Sequence, residues 1–401
     1  MPTRRAFLSQ LLIATPPVVV DAGQHTLVCV FLRGGADTLN LLVPFGDDAY
    51  YKHRPSLGIA APTKGEAAKR SVKLDDHYAL HPMLKPLAEK FHEGRLGFVQ
   101  GVGMDNTSGS HFECQDQMEH GDSAHDAPAG GGWLGRFLRA RAGGKMSPLS
   151  AVAIGTKMPE SLRGAPAVSV MESLDDIAIK SSSNKPQAVA AALAKLYGAD
   201  VTLLGERGRE TLQLFDRVRA LEHNDYKPAN DAKYPKDNFG DGLREIARLV
   251  KARVGLEVAC VDLGGWDTHF FQGADNGTQA GRAKLLADGL AAFDADIKDH
   301  RSNVSVFVMT EFGRRLYENS SLGTDHGRGF AAMLLSDKIK GGRIIGPWPC
   351  IADEDAKEGP GGMKINFDYR SVFTEVLRGT LGLRKSDKVF PGFTPQSVGL
   401  L

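Results

Sequence analysis

Five short runs rich in apolar and β-branched residues punctuate the chain: Leu27–Leu32, Leu96–Val102, Ala151–Ile154, Leu256–Leu263 and Val304–Met309. Their length and the glycines around them are those of strands buried on both faces. Between them, apolar residues recur at helical spacing over Met83–Glu93, His111–His120, Gln187–Tyr197, Glu206–Leu221, Asp241–Val254 and Arg282–Ile297. Strand–helix alternation of this kind predicts an α/β fold, a mainly parallel sheet sandwiched by helices. Residues 156–240 hold few strand-like runs and read as a helical insertion or cap within one domain spanning 23–401. Ser181–Pro186 and Asn224–Asn238 read as exposed loops.

Polar residues gather where these strands end. Arg33, Asp37 and Asn40 follow the first run, and Ser110-His111 follow the second at the start of a helix. Asp267 and His269 follow the fourth; Glu311, Arg314 and Arg315 follow the fifth, with Asp325-His326 shortly after. In an open α/β sheet ligands bind outside the carboxyl ends of the strands, so parallel strands would bring all these clusters to one edge. Asp267 and His269 are two residues apart, and in an extended segment their side chains point the same way and can share a metal. Asp325 and His326 sit in a glycine-flanked loop, and Asp37 and Glu311 are hard oxygen donors. The set suits one or two Zn²⁺, Mn²⁺ or Mg²⁺ ions. Ser110 lies where unpaired N–H groups favour an anion and where a metal can activate a hydroxyl. Each cluster also has a plain structural reading. Asp37 and Ser110 can be helix caps, Glu311 can pair with Arg314 or Arg315, and the Asp–His pairs can be ordinary turns. His77 and His81 read as structural.

Composition narrows the classes. The 401 residues carry 49 basic and 48 acidic side chains, a formal charge of +1 that disfavours a nucleic-acid binder. No apolar run reaches the roughly 20 residues of a membrane span. Four cysteines, Cys29, Cys114, Cys260 and Cys350, show no paired zinc spacing. The first twenty-two residues pair a basic start with a short apolar stretch, and Thr3-Arg4-Arg5-Ala6-Phe7-Leu8 resembles a twin-arginine (Tat) export signal. The expectation is export by that machinery, cleavage near Ala22, and a periplasmic or secreted mature protein of zero net charge.

Phe31–Asn40, Ser110–Glu113, Gly132–Gly135, Gly264–His269, Thr310–Arg314, Gly323–Gly327 and Asp368–Ser371 together resemble domain-of-unknown-function family 1501, in the alkaline phosphatase/sulfatase-like superfamily. The resemblance implies metal-assisted, in-line attack on a phosphate or sulfate ester, with Ser110 as nucleophile and Asp267, His269, Glu311 and His326 as metal ligands. The reading of the residues adds Asp37 and Asp325 as expected ligands and His111 and Arg33 as expected catalytic groups, with a small-molecule or glycan ester as substrate. Phe312 stands where the superfamily carries a metal ligand, and Asp37 lies four residues past the usual first aspartate. These departures keep two rivals open. One is a non-catalytic periplasmic protein binding an anion, glycan or partner, with Arg33, Arg314 or Arg315 holding the anion. The other is an acyl-ester serine hydrolase, for which the Gly-x-Ser-x-Gly elbow is missing.

Overall fold

The computed structural model describes residues 24–121, 130–141, 146–176, 179, 185–222, 226–348, 351 and 361–401. The expected export signal and Cys350 lie outside them. The strands are β1 (Thr26–Leu32), β2 (Leu42–Val43), β3 (Val72–Lys73), β4 (Ala79–Leu80), β5 (Leu96–Gly103) and β6 (Ala151–Ile154). They continue with β7 (Ser169–Met171), β8 (Val258–Leu263), β9 (Val304–Met309), β10 (Phe330–Ser336), β11 (Ile344–Ile345) and β12 (Phe367–Asp368). The helices are α1 (Thr38–Leu41), α2 (Asp48–His53), α3 (Lys85–His92), α4 (His111–His120) and α5 (Trp133–Arg141). After them come α6 (Pro186–Ala199), α7 (Leu203–Glu222), α8 (Asn238–Lys251), α9 (Thr278–Asp296) and α10 (Tyr369–Leu381).

The main sheet runs β11-β5-β10-β9-β1-β8-β6-β7, with β12 also paired to β5. β1 is parallel to β8 and β9, β8 to β6, and β6 to β7. β10 is antiparallel to both β5 and β9, so β5 points the same way as β9 and β1. Every strand expected from the sequence therefore delivers its carboxyl end to one edge. β2, β4 and β3 form a small antiparallel sheet apart.

Side-chain alternation along β1 explains the layers. Val28, Val30 and Leu32 enter one core with Phe91 of α3, Leu243 and Ile246 of α8 and Leu286 and Leu290 of α9. Leu27, Cys29 and Phe31 enter the other with Met118 of α4, Phe137 of α5 and Phe373 and Leu377 of α10. Both faces are thus covered, which is why the strands read as continuous apolar runs rather than alternating ones.

Where the structure departs from the pattern, the cause is local. α8 begins at Asn238, ahead of the expected Asp241, because Asp237 caps it by accepting from the Gly240 N–H at 2.8 Å. It stops at Lys251, ahead of Arg253 and Gly255, whose φ angles are +50° and +87°. β10 was not expected: its core Ala331-Ala332-Met333-Leu334-Leu335 is made of good helix formers without a period of two. The segment between β6 and α8 contains β7 and the helices α6 and α7. α6 buries no side chain, whereas α7 sends Leu214 and Val218 into the core. Among the described residues no helix is long and apolar enough to cross a membrane.

Candidate metal centre

Three imidazoles and one carboxylate meet at the carboxyl edge of the sheet. Asp267 Oδ1 lies 3.4 Å from His111 Nε2, 3.1 Å from His269 Nε2 and 3.3 Å from His326 Nε2. His269 Nε2 and His326 Nε2 are 2.9 Å apart. His111 comes from the first turn of α4, Asp267 and His269 from the loop after β8, and His326 from the loop before β10.

The opposite nitrogen of each ring is held by an acceptor. His111 Nδ1 donates to Glu311 Oε1 at 2.8 Å, His269 Nδ1 to Asp325 Oδ1 at 2.9 Å, and His326 Nδ1 to the Gly109 carbonyl at 2.7 Å. A carbonyl oxygen can only accept, so the His326 proton sits on Nδ1. Glu311 Oε1 also accepts from Gln115 Nε2 and the Gly34 N–H, and Asp325 Oδ1 from Asn319 Nδ2. In the neutral rings the protons are therefore on the outer nitrogens, and three Nε2 lone pairs are turned towards the Asp267 carboxylate. His111 Nε2 is buried without a hydrogen-bond partner. Such an inward-facing donor set repels itself unless a cation sits among the atoms. His111, Asp267 and His326 offer donor atoms all within 4.8 Å of one another. Imidazoles backed by carboxylate or carbonyl acceptors are the usual setting of metal-bound histidine.

The electrostatics agree with this geometry. Burial opposes the charge of Asp267, but the hydrogen bond and positive charge of Arg314 hold its carboxyl well below the ordinary range. Burial also opposes the charge of Glu311, which hydrogen bonds from His111 and Gln115 keep low. Asp325 is likewise lowered against its burial by His269 and Asn319. The hydrogen bond to Glu311 raises His111, whereas burial lowers His326. The Asp267 side chain is 47% exposed, so the centre opens to solvent on that side.

The loops can approach this closely because of two glycines. Gly34 has φ +118°, and a Cβ there would lie 2.6 Å from Asp267 N. A Cβ at Gly323 would lie 2.2 Å from the His269 carbonyl oxygen. Phe312 is buried beneath the centre, its ring centroid 5.0 Å from that of His111 and 4.6 Å from that of His326. The position at which the resemblance implies a further ligand is thus a dry apolar floor.

The other sequence candidates lie around this group in different settings. Glu311 and Asp325 reach it through the outer nitrogens of His111 and His269. Asp37 is placed elsewhere: fully buried, its Oδ2 is 2.6 Å from Arg54 Nη1 and 2.6 Å from Gln272 Nε2, so its charge is spent on a guanidinium. Arg33 is also away from the donor atoms, bound to Asp262 at 2.6 Å and Glu119 at 3.1 Å. Ser110 is the N-cap of α4, its Oγ accepting from the Glu113 N–H at 3.4 Å, between Gly109 and His111. Arg314 is buried and spends its guanidinium on the carbonyls of Gly34, Gly35, Trp266 and Thr324 and on Asp267. It is not free to hold an anion. His81 is structural, meeting the Ala274 carbonyl at 2.9 Å.

Sequence reasoning missed Gln115, Asn319 and Arg282. Gln115 was legible, since it lies four residues after His111 on the same helical face. Arg282 of α9 lies against Gly265, where a Cβ would be 2.7 Å from its Nε. Among the described residues no hydrogen bond or ion pair engages that guanidinium.

Residues 24–361 match the family described as "Protein of unknown function (DUF1501)". The chain belongs to that family. No curated protein matches the sequence. Among solved structures, this chain superposes on Ps i-CgsB in complex with k-i-k-neocarrahexaose at a TM-score of 0.40 and 9% identity, covering 92% of this chain and 75% of that one. The C-terminal periplasmic domain of EcEptC from Escherichia coli, in a complex with Zn, gives a TM-score of 0.34 at 10% identity, covering 79% and 74%. What the site of this DUF1501 protein can do is carried by its side chains, not by these distant superpositions.

Proposed function

We propose that the protein is an exported, metal-dependent hydrolase of phosphate or sulfate esters, on an alkaline-phosphatase-like α/β fold. The observation that carries the reading is the convergence of three imidazole Nε2 atoms on Asp267 Oδ1, each ring fixed from behind by an acceptor. Three nitrogens and one oxygen suit tetrahedral Zn²⁺, and also Mn²⁺; Mg²⁺ prefers an all-oxygen shell. His111, His269, His326 and Asp267 would be the ligands, with Glu311, Asp325 and the Gly109 carbonyl orienting them. A divalent cation there supplies positive charge to the ester oxygens and lowers the pKa of a nearby hydroxyl.

Ser110, next to His111, is the nucleophile in this reading. Its Oγ bonds to phosphorus or sulfur as the bond to the leaving oxygen breaks, and the serine proton leaves with the alcohol. Water then cleaves the seryl ester, restoring serine and releasing phosphate or sulfate. Arg282 is a cation free to meet the anionic head, a role that Arg33 and Arg314 cannot fill. The test is hydrolysis of aryl phosphates and sulfates by zinc- or manganese-loaded protein against Ser110→Ala. Loss of at least about 100-fold in kcat supports the reading; turnover equal to Ser110→Ala overturns it. A second reading, a binding protein without turnover, is favoured by one observation: the Ser110 hydroxyl already serves as a helix cap. It predicts metal-dependent phosphate binding that Ser110→Ala leaves unchanged.

A further inference from the structure

Large exposed apolar side chains lie on the segments that carry the centre's histidines, and the Phe270 ring is 6.5 Å from that of His269. Phe112 follows His111 and is 87% exposed; Phe270 and Phe271 follow His269 and are 69% and 74% exposed. Leu322, in the loop leading to Asp325 and His326, is 45% exposed. The two loops carrying Phe271 and Leu322 are tied together. The Phe271 N–H donates to the Ser321 carbonyl at 3.0 Å and the Gln272 N–H to the Leu322 carbonyl at 2.9 Å.

Phe271 and Leu322 have φ angles of +45° and +55°. That left-handed region is unfavourable for any residue with a Cβ and free to glycine. Of the other described non-glycine residues there, Asn230 and Asp231 belong to the types that tolerate it, and Arg253 ends a helix. Neither Phe271 nor Leu322 recovers the cost by burial. A phenyl and an isobutyl group held out on strained backbone, beside a polar centre, do nothing for the fold, and strain of this kind gathers at functional sites.

We propose that Phe112, Phe270, Phe271 and Leu322 form a subsite for an apolar group of the substrate. The ester would then be a soluble amphiphile, a phosphate or sulfate head on an apolar ring or short chain. The inference rests on the reading of the centre as an ester hydrolase. Leu322 adds aliphatic surface to the three phenyl rings, and a hydrocarbon group covers both kinds at once.

The test compares benzylphosphonate with methylphosphonate by titration calorimetry on the full, zinc-loaded chain, alongside thermal unfolding. The wild type is expected to bind the benzyl compound at least about tenfold tighter. Phe271→Gly and Leu322→Gly should each reduce that preference at least about threefold, with Tm unchanged or raised because glycine relieves the backbone. Equal affinity for the two phosphonates, or binding of neither, overturns the proposal. So does a variant that loses Tm yet keeps the preference, or binding to zwitterionic lipid vesicles without any preference between the phosphonates. The two readings fail separately. Benzyl preference without Ser110-dependent turnover leaves the rim standing and removes the hydrolase; turnover without preference does the reverse.

Discussion

Two aspartate–arginine pairs lie near the carboxyl edge of the sheet, and they have opposite characters. Asp37 and Arg54 are both fully buried, and the carboxylate also receives Gln272. Asp267 pairs with the equally buried Arg314 at 2.8 Å, but its own side chain is 47% exposed and faces the Nε2 atoms of three imidazoles. One pair is shut away from solvent, with both donors on Asp37 Oδ2 and Oδ1 buried without a partner. The other is left with excess negative character directed at solvent, and that excess is what a metal ion can satisfy. Residue type and position near a strand end are shared; access to solvent and the ring of imidazoles around Asp267 separate chemistry from structure.

The sharpest way to break this comparison is to remove the partner of the closed pair. Arg54→Met should cost about 3–5 kcal/mol in urea unfolding, because a buried carboxylate is left uncompensated. The double variant Asp37→Leu/Arg54→Met should recover most of that loss. A single variant within experimental error of wild type would show the pair to be no more buried than the open one. The second test concerns the open pair. Chelation should lower Tm reversibly, and zinc at about 100 times its Kd should restore about 2.7 kcal/mol. Metal analysis should give about one ion per chain, since the donor atoms gather around the single Asp267 Oδ1, and a Tm indifferent to chelator would remove the distinction.

Glu311→Gln comes next in size. It keeps the shape of the side chain but weakens the grip on His111 Nδ1, and zinc affinity by competition titration should fall about 10–100-fold. The smallest effect is expected at Asp267→Asn in metal-free protein. Its amide oxygen still accepts from Arg314, so unfolding should shift by less than about 1 kcal/mol while zinc binding is lost. Destabilisation as large as that of Arg54→Met would mean that Asp267 is a structural carboxylate too.

Much of the fold was legible because its central strands are covered on both faces and appear as unbroken apolar runs. β1, β5, β6 and β9 lie where those runs do. β10 was hidden by its helix-forming composition, and β2, β3, β4, β11 and β12 have two residues each, too few to show any period. The meeting of Asp267, His269 and His326 followed from parallel strands ending at one edge. The division of labour among the carboxylates did not. Glu311 and Asp325 contact ring nitrogens on the side away from the donors' meeting point, and a carboxylate that holds an imidazole reads the same in sequence as one that holds a metal. Asp37 could not be told apart either, because its partner Arg54 lies in α2's C-terminal flank with no motif to link them. Arg282 was hidden on α9, a helix expected to serve only as cover.

The His111–Glu311 contact joins residues 200 positions apart in the chain. The donor atoms therefore meet only after β5, β8 and β9 have all taken their places in the sheet. Closing loops of that length is slow and costs entropy before any contact repays it. On the proposed reading, metal capture would accordingly be a late event on the folding path, not its seed. A nascent or partly folded chain would present scattered imidazoles without the geometry to retain zinc. Acquisition of tightly held metal would then mark the moment at which the sheet is complete.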